Sequence, residues 1–289
     1  MSPPTLDWQS KLILLLVVPC TAVSVVLQAR EFASSQPAVV GWTLTLSALL
    51  GFLAWISRAG TPAASATGAV LTAGMMFSAA TAPFQAWRSA MVPILAFMVL
   101  TSLATRFGRM PKELIGTAEA KHGRVASQVA ANLGMAALAM ISSRSLLSIY
   151  WAAGALDRSV PSMILAPGLA ALAEAAADTV SSEIGQVLGG RPFMLTTLRR
   201  VDPGTDGAIS LIGTLAGILA AATVAAAGAW ALHGDVRMFL LSWAGGIFGL
   251  FFDSLLGATW ESIGWLNNDA VNFLSTASAA AFTLAVMAT

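Results

Sequence analysis

The sequence has little charge for its length. Charged residues make up 10% of the 289 positions, hydrophobic residues make up 57%, and the mean hydropathy is +0.77. A soluble globular domain carries about 25% charged residues. This shortage excludes an ordinary soluble domain and places the chain in the membrane class.

The sequence also has only one cysteine, and its first apolar stretch shows no signal-cleavage site. Cys20 is the single cysteine, so an internal disulfide is excluded, and we expect Cys20 to be a buried apolar residue. The first apolar stretch, 12–27, follows Lys11 and contains no small-residue cleavage site. The stretch is therefore predicted to be a retained helix rather than a cleaved signal peptide.

Long apolar runs fill most of the chain. A membrane span needs about 20 mainly apolar residues. On that rule the sequence predicts an all-α, polytopic membrane helix bundle of about nine transmembrane helices, at 11–28, 39–57, 62–81, 89–105, 125–142, 161–180, 209–232, 237–258 and 270–288.

Basic residues predict the orientation, because they collect in cytoplasmic loops. With the amino terminus inside, ten lysines and arginines fall on the inner side and five on the outer side. We therefore expect a cytoplasmic amino terminus and an integral protein of a prokaryotic plasma membrane, with a plastid membrane as the alternative.

Two acids interrupt an alanine-rich stretch of the predicted sixth helix. Glu174 and Asp178 lie one helical turn apart, and Ser182 and Glu183 continue toward the inner side. A carboxylate near the bilayer centre costs about 2.5–3.5 kcal/mol on insertion scales, so such residues usually mark a functional site. The alternative is a structural carboxylate paired with an arginine.

A polar stripe opens the predicted fifth helix. Arg124, Gln128 and Asn132 recur at four-residue spacing and share one helix face, with Lys121 just before them. A helix start with cationic side chains favours a phosphate group. The stripe could instead serve helix packing, since amides also form hydrogen bonds between membrane helices.

Three further polar elements fall on the same predicted side. The first is a turn-rich loop that resembles a phosphate cradle but lacks the Gly-Lys-Ser/Thr ending of a Walker A motif. The second is an aspartate that interrupts a glycine stripe, and the third is a group of asparagines that opens the last helix. Helix capping is the alternative for the asparagines and the aspartate. The residues concerned are Arg199, Arg200, Gly204, Thr205, Asp206, Gly207 and Ser210 in the loop, then Asp253, and then Asn268, Asp269 and Asn272.

Carboxylates from several helices therefore lie near lysines and arginines on one membrane face. Carboxylates hold Mg²⁺ together with substrate phosphates, and cations offset the charge that develops in phosphoryl transfer. The pattern predicts metal-dependent phosphate chemistry.

These motifs resemble a known family, the integral-membrane phytyl-phosphate kinases. This group was once catalogued as domain of unknown function family 92 and includes transmembrane protein 19. The resemblance rests on Gly123-Arg124 with Gln128 and Asn132, on the acids of 173–185, on the Pro-Gly-Thr-Asp-Gly block of 203–214, and on 253–258 and 268–272. It covers 106–289, which we interpret as a catalytic transmembrane domain, and leaves 1–105 as amino-terminal transmembrane helices without a recognisable motif.

The resemblance implies a CTP-favouring kinase that converts an isoprenyl monophosphate, such as phytyl or geranylgeranyl phosphate, to the diphosphate. The expected cofactors are Mg²⁺ and CTP or another nucleoside triphosphate. The expected partners are membrane lipid and a prenyl phosphate, with no nucleic acid, and the chain could form a homodimer.

Carried onto this chain, the resemblance also implies individual roles. Asp178, Glu183 and Asp253 would hold metal, with Asp206 or Asp269 as further ligands. The remaining groups would bind or position substrate and nucleotide: Lys121, Arg124, Gln128, Asn132, Ser182, Arg199, Arg200, Gly204, Thr205, Gly207, Ser210, Asn268 and Asn272. The lipid tail would lie against the small-residue faces of the spans 209–232 and 237–258.

Other functions stay open at this point. A polyprenol or phytol kinase would need a base for the hydroxyl group, a role that Glu174 could fill. A lipid-phosphate cytidylyltransferase would release pyrophosphate instead of CDP. From another class, an ion-coupled transporter or lipid flippase also carries intramembrane carboxylates.

Overall fold

Helices make up nearly all of the regular structure in the computed structural model, which describes residues 7–81, 83–117, 123–152 and 162–289. The helices are α1 (Asp7–Ser35), α2 (Pro37–Ile56), α3 (Pro62–Ser78), α4 (Met91–Arg106), α5 (Arg109–Ile115), α6 (Ala126–Ala152), α7 (Ala166–Leu188), α8 (Leu211–Ala231), α9 (Val236–Leu256) and α10 (Asn268–Met287). A 3₁₀ turn (Ser162–Leu165) precedes α7 and a π-helical turn (Gly257–Glu261) follows α9. The strands β1 (Phe193–Met194) and β2 (Ala208–Ile209) form an antiparallel hairpin between α7 and α8.

The predicted membrane helix bundle is confirmed, although the exact number of nine spans is not. Within the described ranges, seven helices are long and apolar enough to cross a membrane: α1, α2, α6, α7, α8, α9 and α10. The other two predicted spans correspond to α3 and α4, which have 17 and 16 residues.

Hydrogen bonds near each end of the bundle show that α3 and α4 nevertheless run between the same two ends as their longer neighbours. Thr61, which caps α3, donates its backbone N–H to the Arg124 carbonyl at 2.9 Å. Past the other end of α3, the Ala80 carbonyl accepts from Arg144 at 3.3 Å. For α4, Arg88 before the helix donates to the Trp230 carbonyl at 2.6 Å, and Arg106 at its end donates to the Ser57 carbonyl at 3.4 Å.

Helix α7 is the central helix of the bundle. Every residue from Ala166 to Ala177 is buried, and α7 packs against α4, α6, α8, α9 and α10. Small residues on the neighbours permit this, because a side chain at Gly213 or Gly217 of α8 would overlap the α7 backbone.

The observed α7 differs from the predicted span 161–180 at both ends. It begins at Ala166 and continues to Leu188, which places Ser182 and Glu183 inside the helix. Pro167 lies in the first turn and does not kink the helix, because an amino-terminal residue needs no intrahelical N–H bond.

The amino-terminal helices share one hydrophobic core with the rest of the chain. Val17 of α1 and Leu71 of α3 belong to the same buried cluster as Leu172 of α7 and Ala280 of α10. Cys20 is exposed on the outer surface of α1, so the expectation that it is buried was wrong. An apolar thiol can face outward here because α1 is a membrane-spanning helix whose outer surface contacts lipid.

Candidate functional site

Most of the predicted site residues converge on one polar cavity of about 390 Å³ at one end of the bundle. The cavity lies where α6, α7, α9 and α10 meet the loop that leads into α8. The predicted residues that line it are Arg124, Gln128, Asn132, Asp178, Ser182, Glu183, Gly204, Thr205, Asp206, Gly207, Ser210, Asp253, Asn268 and Asn272.

Asp178 lies at the centre of the charges in this cavity. Its carboxylate interacts electrostatically with Arg124 of the α6 start, with Glu183 one turn further along α7, and with Asp253 of α9. The attraction to Arg124 is therefore opposed by repulsion from Glu183, while Asp253 lies within hydrogen-bonding reach of Asp178. This charge balance suits a site that takes up a cation.

Asp253 brings a second carboxylate to the cavity with an unused oxygen. Its Oδ2 atom is buried and has no hydrogen-bond partner among the described residues. A buried polar atom without a partner is costly, so it points to an ion, a water molecule or a functional role. Asp253 can therefore supply an oxygen ligand.

Glu174 lies behind the cavity rather than in its lining. Its side chain is 1% exposed and its Oε1 atom has no hydrogen-bond partner in the described chain. Gly249 of α9 leaves the room for it, since a Cβ there would overlap Glu174 Cγ. Glu174 adds negative charge next to Asp178 and Asp253, but it does not line the cavity, where the base considered for an alcohol kinase would be needed.

Glu183 is held by a buried lysine. Lys112 of α5 is 0% exposed and donates to Glu183 Oε2 at 2.6 Å. The same ammonium group donates to the carbonyls of Ala104 and Thr105 at 2.9 and 3.2 Å. These bonds join α5 and the end of α4 to α7, where Glu183 also lines the cavity.

The loop before α8 packs closely against the end of α9. Gly207 has φ +71°, and a Cβ there would overlap the backbone of Ser254 and Ala258. Only glycine suits both the left-handed backbone and this approach. The contact places Thr205 and Asp206 on the cavity wall.

The α6 start is fixed by backbone pairing with the loop between α2 and α3. The Arg124 N–H donates to the Ala59 carbonyl at 3.1 Å, and the Thr61 N–H donates to the Arg124 carbonyl at 2.9 Å. Gln128 Oε1 accepts from the Val125 N–H at 2.8 Å and so caps the helix. Arg124 also donates to Thr179 of α7 at 3.5 Å. The guanidinium group is thereby directed into the cavity.

Several predicted residues lie elsewhere. Arg199 and Arg200 are exposed in the connection between β1 and β2. Arg200 pairs with Phe193 and stacks over its ring at 5.0 Å, and neither arginine lines the cavity. Asp269 is buried in the first turn of α10, where an acid stabilises the helix start. Lys121 lies outside the described residues.

Glu261 was not among the site residues predicted from the sequence. This acid ends the π-helical turn after α9 and lines the cavity, close to Asp206 and Asp178. The predicted helix ended at residue 258, so Glu261 was assigned to a loop. Its signal was its position eight residues after Asp253, a little over two helical turns further on.

The residues fit a magnesium ion bound together with phosphates. Five acids line the cavity against Arg124, namely Asp178, Glu183, Asp206, Asp253 and Glu261. Among the residues described, no group of three or more Asp, Glu, His or Cys side chains could hold a metal ion. Mg²⁺ is commonly bound by one or two carboxylates with the remaining ligands from water and substrate phosphates. The cavity matches that mode rather than an all-protein metal cage.

The fold and the site define a class: a polytopic α-helical membrane protein with a polar, acid-rich cavity at one end. The chain belongs to the family described as integral membrane protein DUF92, which it matches over residues 45–280. The resemblance found from the motifs is thereby confirmed at the level of the family. The match also reaches into α2, where no motif was recognised.

Relatives occur in archaea, cyanobacteria and plants. The chain is 31% identical to an uncharacterized membrane protein of Synechocystis over 70% of this chain and 75% of the relative. It is 44% identical to an uncharacterized membrane protein of Methanocaldococcus jannaschii over 37% of this chain and 45% of the relative. It is 31% identical to Protein VTE6, chloroplastic, of Arabidopsis thaliana over 63% of this chain and 54% of the relative. The chain thus spans about half of two of these relatives. No solved structure matches the chain.

Proposed function

We propose that the protein is a membrane kinase that uses a nucleoside triphosphate, with CTP favoured, to convert an isoprenyl monophosphate to the diphosphate. The observation that carries this proposal is the cavity itself, in which carboxylates of three separate segments face Arg124 and a glycine-containing loop. The family resemblance supplies the prenyl substrate and the CTP preference.

The charge of the cavity supports chemistry on phosphates that carry a metal ion. Acids alone would repel a triphosphate, whereas Mg²⁺ bound to it is attracted and offsets the charge of the transferring group. Asp178 and Asp253 would hold the ion, and Glu183, Asp206 and Glu261 are placed to assist.

The protein's own groups would then bind and align the two substrates. Arg124 neutralises phosphate oxygens, while Asn132 and Asn272 on the cavity wall can donate hydrogen bonds to them. An oxygen of the prenyl phosphate forms the new bond to the terminal phosphorus of CTP, and the bond from that phosphorus to CDP breaks. Alignment and charge neutralisation carry most of the rate in such transfers.

The position of Glu174 favours a phosphate acceptor over a prenyl alcohol. An alcohol needs a base, and Glu174, the candidate for that role, is buried behind the cavity. A prenyl monophosphate is already an anionic nucleophile and needs little help from a base.

The test is an assay of the purified protein in detergent with Mg²⁺, CTP and geranylgeranyl phosphate. We expect geranylgeranyl diphosphate and CDP, and we expect Asp178→Asn and Asp253→Asn to lower the rate by about 100-fold or more. Asp235→Asn is the matched control, because Asp235 caps the opposite end of α9, where asparagine also caps.

Two results would contradict the proposal. Full activity of the Asp253→Asn protein would show that the acids take no part in the mechanism. Release of pyrophosphate with formation of a CDP-linked lipid would instead identify a cytidylyltransferase.

A further inference from the structure

A second, larger cavity lies among the amino-terminal helices, which the motifs left without a role. It has a volume of about 500 Å³ and is bounded by α2, α3, α4 and α6. The larger part of its interior is apolar, formed by Leu50, Ile94, Phe97, Met98, Val129 and Leu133, and side chains with hydroxyl groups such as Ser65, Thr72 and Thr101 also line it. Ligand cavities commonly have about 300–1,000 Å³, so this space is large enough for a lipid chain.

The helix packing leaves this space open. Helix α4 packs mainly against α7 and α8 and makes few contacts with α3, whereas α3 packs against α2 and α6. The face of α3 toward the gap carries small residues, which include Ala64 and Gly68. The cavity is therefore a gap between two groups of helices.

Arginines surround the end of the cavity that lies near the acidic site. Arg58, Arg106, Arg109 and Arg124 contribute to its lining, which contains no acid among the described residues. Arg109 is paired with Glu113 in an exposed ion pair. The cavity thus combines an apolar interior with a cationic mouth, which is complementary to an amphiphile with an anionic head group.

The two cavities adjoin each other, because they share lining residues. Arg124 and Asn132 belong to both. A phosphate bound at Arg124 would therefore lie beside the acids, and an apolar chain attached to it would extend among α2, α3, α4 and α6.

The other expected position for the isoprenyl chain, against α8 and α9, has no free space. The small-residue faces of α8 and α9 were expected to accept it, but a Cβ at Gly217 would meet the Ala177 carbonyl at 2.7 Å, and one at Gly246 would meet Ala173 Cβ at 3.1 Å. These faces contact α7 directly and leave no room for a lipid.

We propose that the cavity between α2, α3, α4 and α6 binds the isoprenyl chain of the acceptor, with its phosphate held by Arg124 at the border with the acidic cavity. This assignment rests on the proposed kinase function and adds the subsite that selects the lipid. The amino-terminal helices would then determine the chain length that the protein accepts.

Gly68→Leu tests the subsite by filling it. A Cβ at Gly68 meets only Val129 Cγ1, at an ordinary 3.8 Å, so the larger side chain is directed into free space. The matched control is Gly41→Leu, a helical glycine on the outer surface of α2 with no atom within 4 Å of the added Cβ. Ser102→Leu, from the α4 wall, is the second filling variant, and thermal unfolding in detergent verifies that all three proteins fold.

We expect the filling variants to raise the KM for geranylgeranyl phosphate by about tenfold or more, which corresponds to two excluded methylene groups. They should impair the reaction of dimethylallyl phosphate much less than that of geranylgeranyl phosphate, because its chain is shorter and occupies less of the cavity. Gly41→Leu should impair neither reaction. Equal kinetics of filling and control variants with the long substrate would overturn the proposal while leaving the kinase function intact.

A crosslinking experiment separates the two proposals where turnover is absent. Geranylgeranyl phosphate with a photoreactive group at the end of its chain is irradiated with the wild-type protein, and the labelled peptides are identified by mass spectrometry. Labelling of α3 and α4 supports the subsite even in a protein without kinase activity. Labelling confined to α8–α10, or equal labelling of the wild-type and Gly68→Leu proteins, would overturn it.

Discussion

At the scale of the residue, the site depends on acids whose oxygens are left without protein partners. Glu174 and Asp253 each have a buried oxygen with no hydrogen bond in the described chain. In a stable membrane bundle such atoms would normally be paired, since unsatisfied groups are costly away from water. We expect a bound cation to offset this free energy at Asp253, the one of the two acids that lines the cavity.

Glu261 gives the first prediction at this scale. Because it lines the cavity beside Asp206 and Asp178, Glu261→Gln should weaken the apparent Mg²⁺ affinity by about 10- to 100-fold. The measurement is the kinase rate as a function of Mg²⁺ concentration. Asp202→Asn, at an exposed acid of the loop before α8, is the control. An unchanged Mg²⁺ dependence of the Glu261→Gln protein would exclude Glu261 from the site.

Gly207 gives the second prediction at the scale of the residue. Gly207→Ala adds a Cβ that overlaps the α9 end and strains a left-handed backbone, and we expect a loss of about 1–3 kcal/mol in the free energy of unfolding together with a loss of activity. Gly190→Ala has a similar φ of +63° but no atom near the added Cβ. Both variants strain a left-handed backbone, but only Gly207→Ala disturbs the contact between the loop and α9. A lower melting temperature of Gly207→Ala therefore measures that contact, and equal melting temperatures would show that it is unimportant.

At the scale of the element, short segments align the long helices. The seven-residue helix α5 places Lys112 between the end of α4 and Glu183 of α7, and the loop between α2 and α3 pairs with the α6 start. These contacts lie outside the apolar interior of the bundle and fix the positions of the charged side chains.

Lys112 therefore gives an element-scale prediction. Lys112→Met leaves Glu183 and two carbonyls without their donor, and breaking a buried ion pair in this way costs about 3–5 kcal/mol. Glu113→Gln breaks an exposed pair on the same helix, which should cost about 1 kcal/mol or less. Thermal unfolding in detergent compares them, and an equally small effect of both would show that the Lys112 contact contributes nothing beyond a surface pair.

At the scale of the whole molecule, polarity is unequal at the two ends. The acidic cavity, the arginine mouth of the second cavity and the hairpin all lie at one end. The other end is joined by contacts such as Arg144 with Glu31 at 3.1 Å and Ser162 with the His233 carbonyl at 3.2 Å. The distribution of basic residues predicts that the polar end faces the cytoplasm, where nucleotides are available.

Cysteine labelling tests that orientation. In a Cys20→Ser background, Val236→Cys marks the opposite end and Thr197→Cys marks the hairpin, and both positions are exposed. With a membrane-impermeant maleimide on intact cells, we expect Val236→Cys to react and Thr197→Cys to react only after the cells are opened. The reverse pattern would place the site outside and the amino terminus with it.

The sequence by itself determined the class of fold, the family and most of the cavity lining. Apolar runs of membrane-spanning length have few alternatives, because a bilayer requires every backbone group to be paired within a helix. The positions of Asp178 and Asp253 followed from the same constraint, since an acid on an apolar helix must face the protein interior. Local motifs were sufficient for these conclusions.

Only the tertiary structure decided which side chains meet. Arg199 and Arg200 were expected at the phosphates because they precede the glycine-containing loop, but Arg200 pairs with Phe193 and both arginines are exposed outside the cavity. Glu261 enters the site because a π-helical turn extends α9, and the second cavity exists because α4 packs against α7 and α8 instead of α3. Helix directions and long-range packing set these distances, and neither is encoded in the spacing of residues along a single segment.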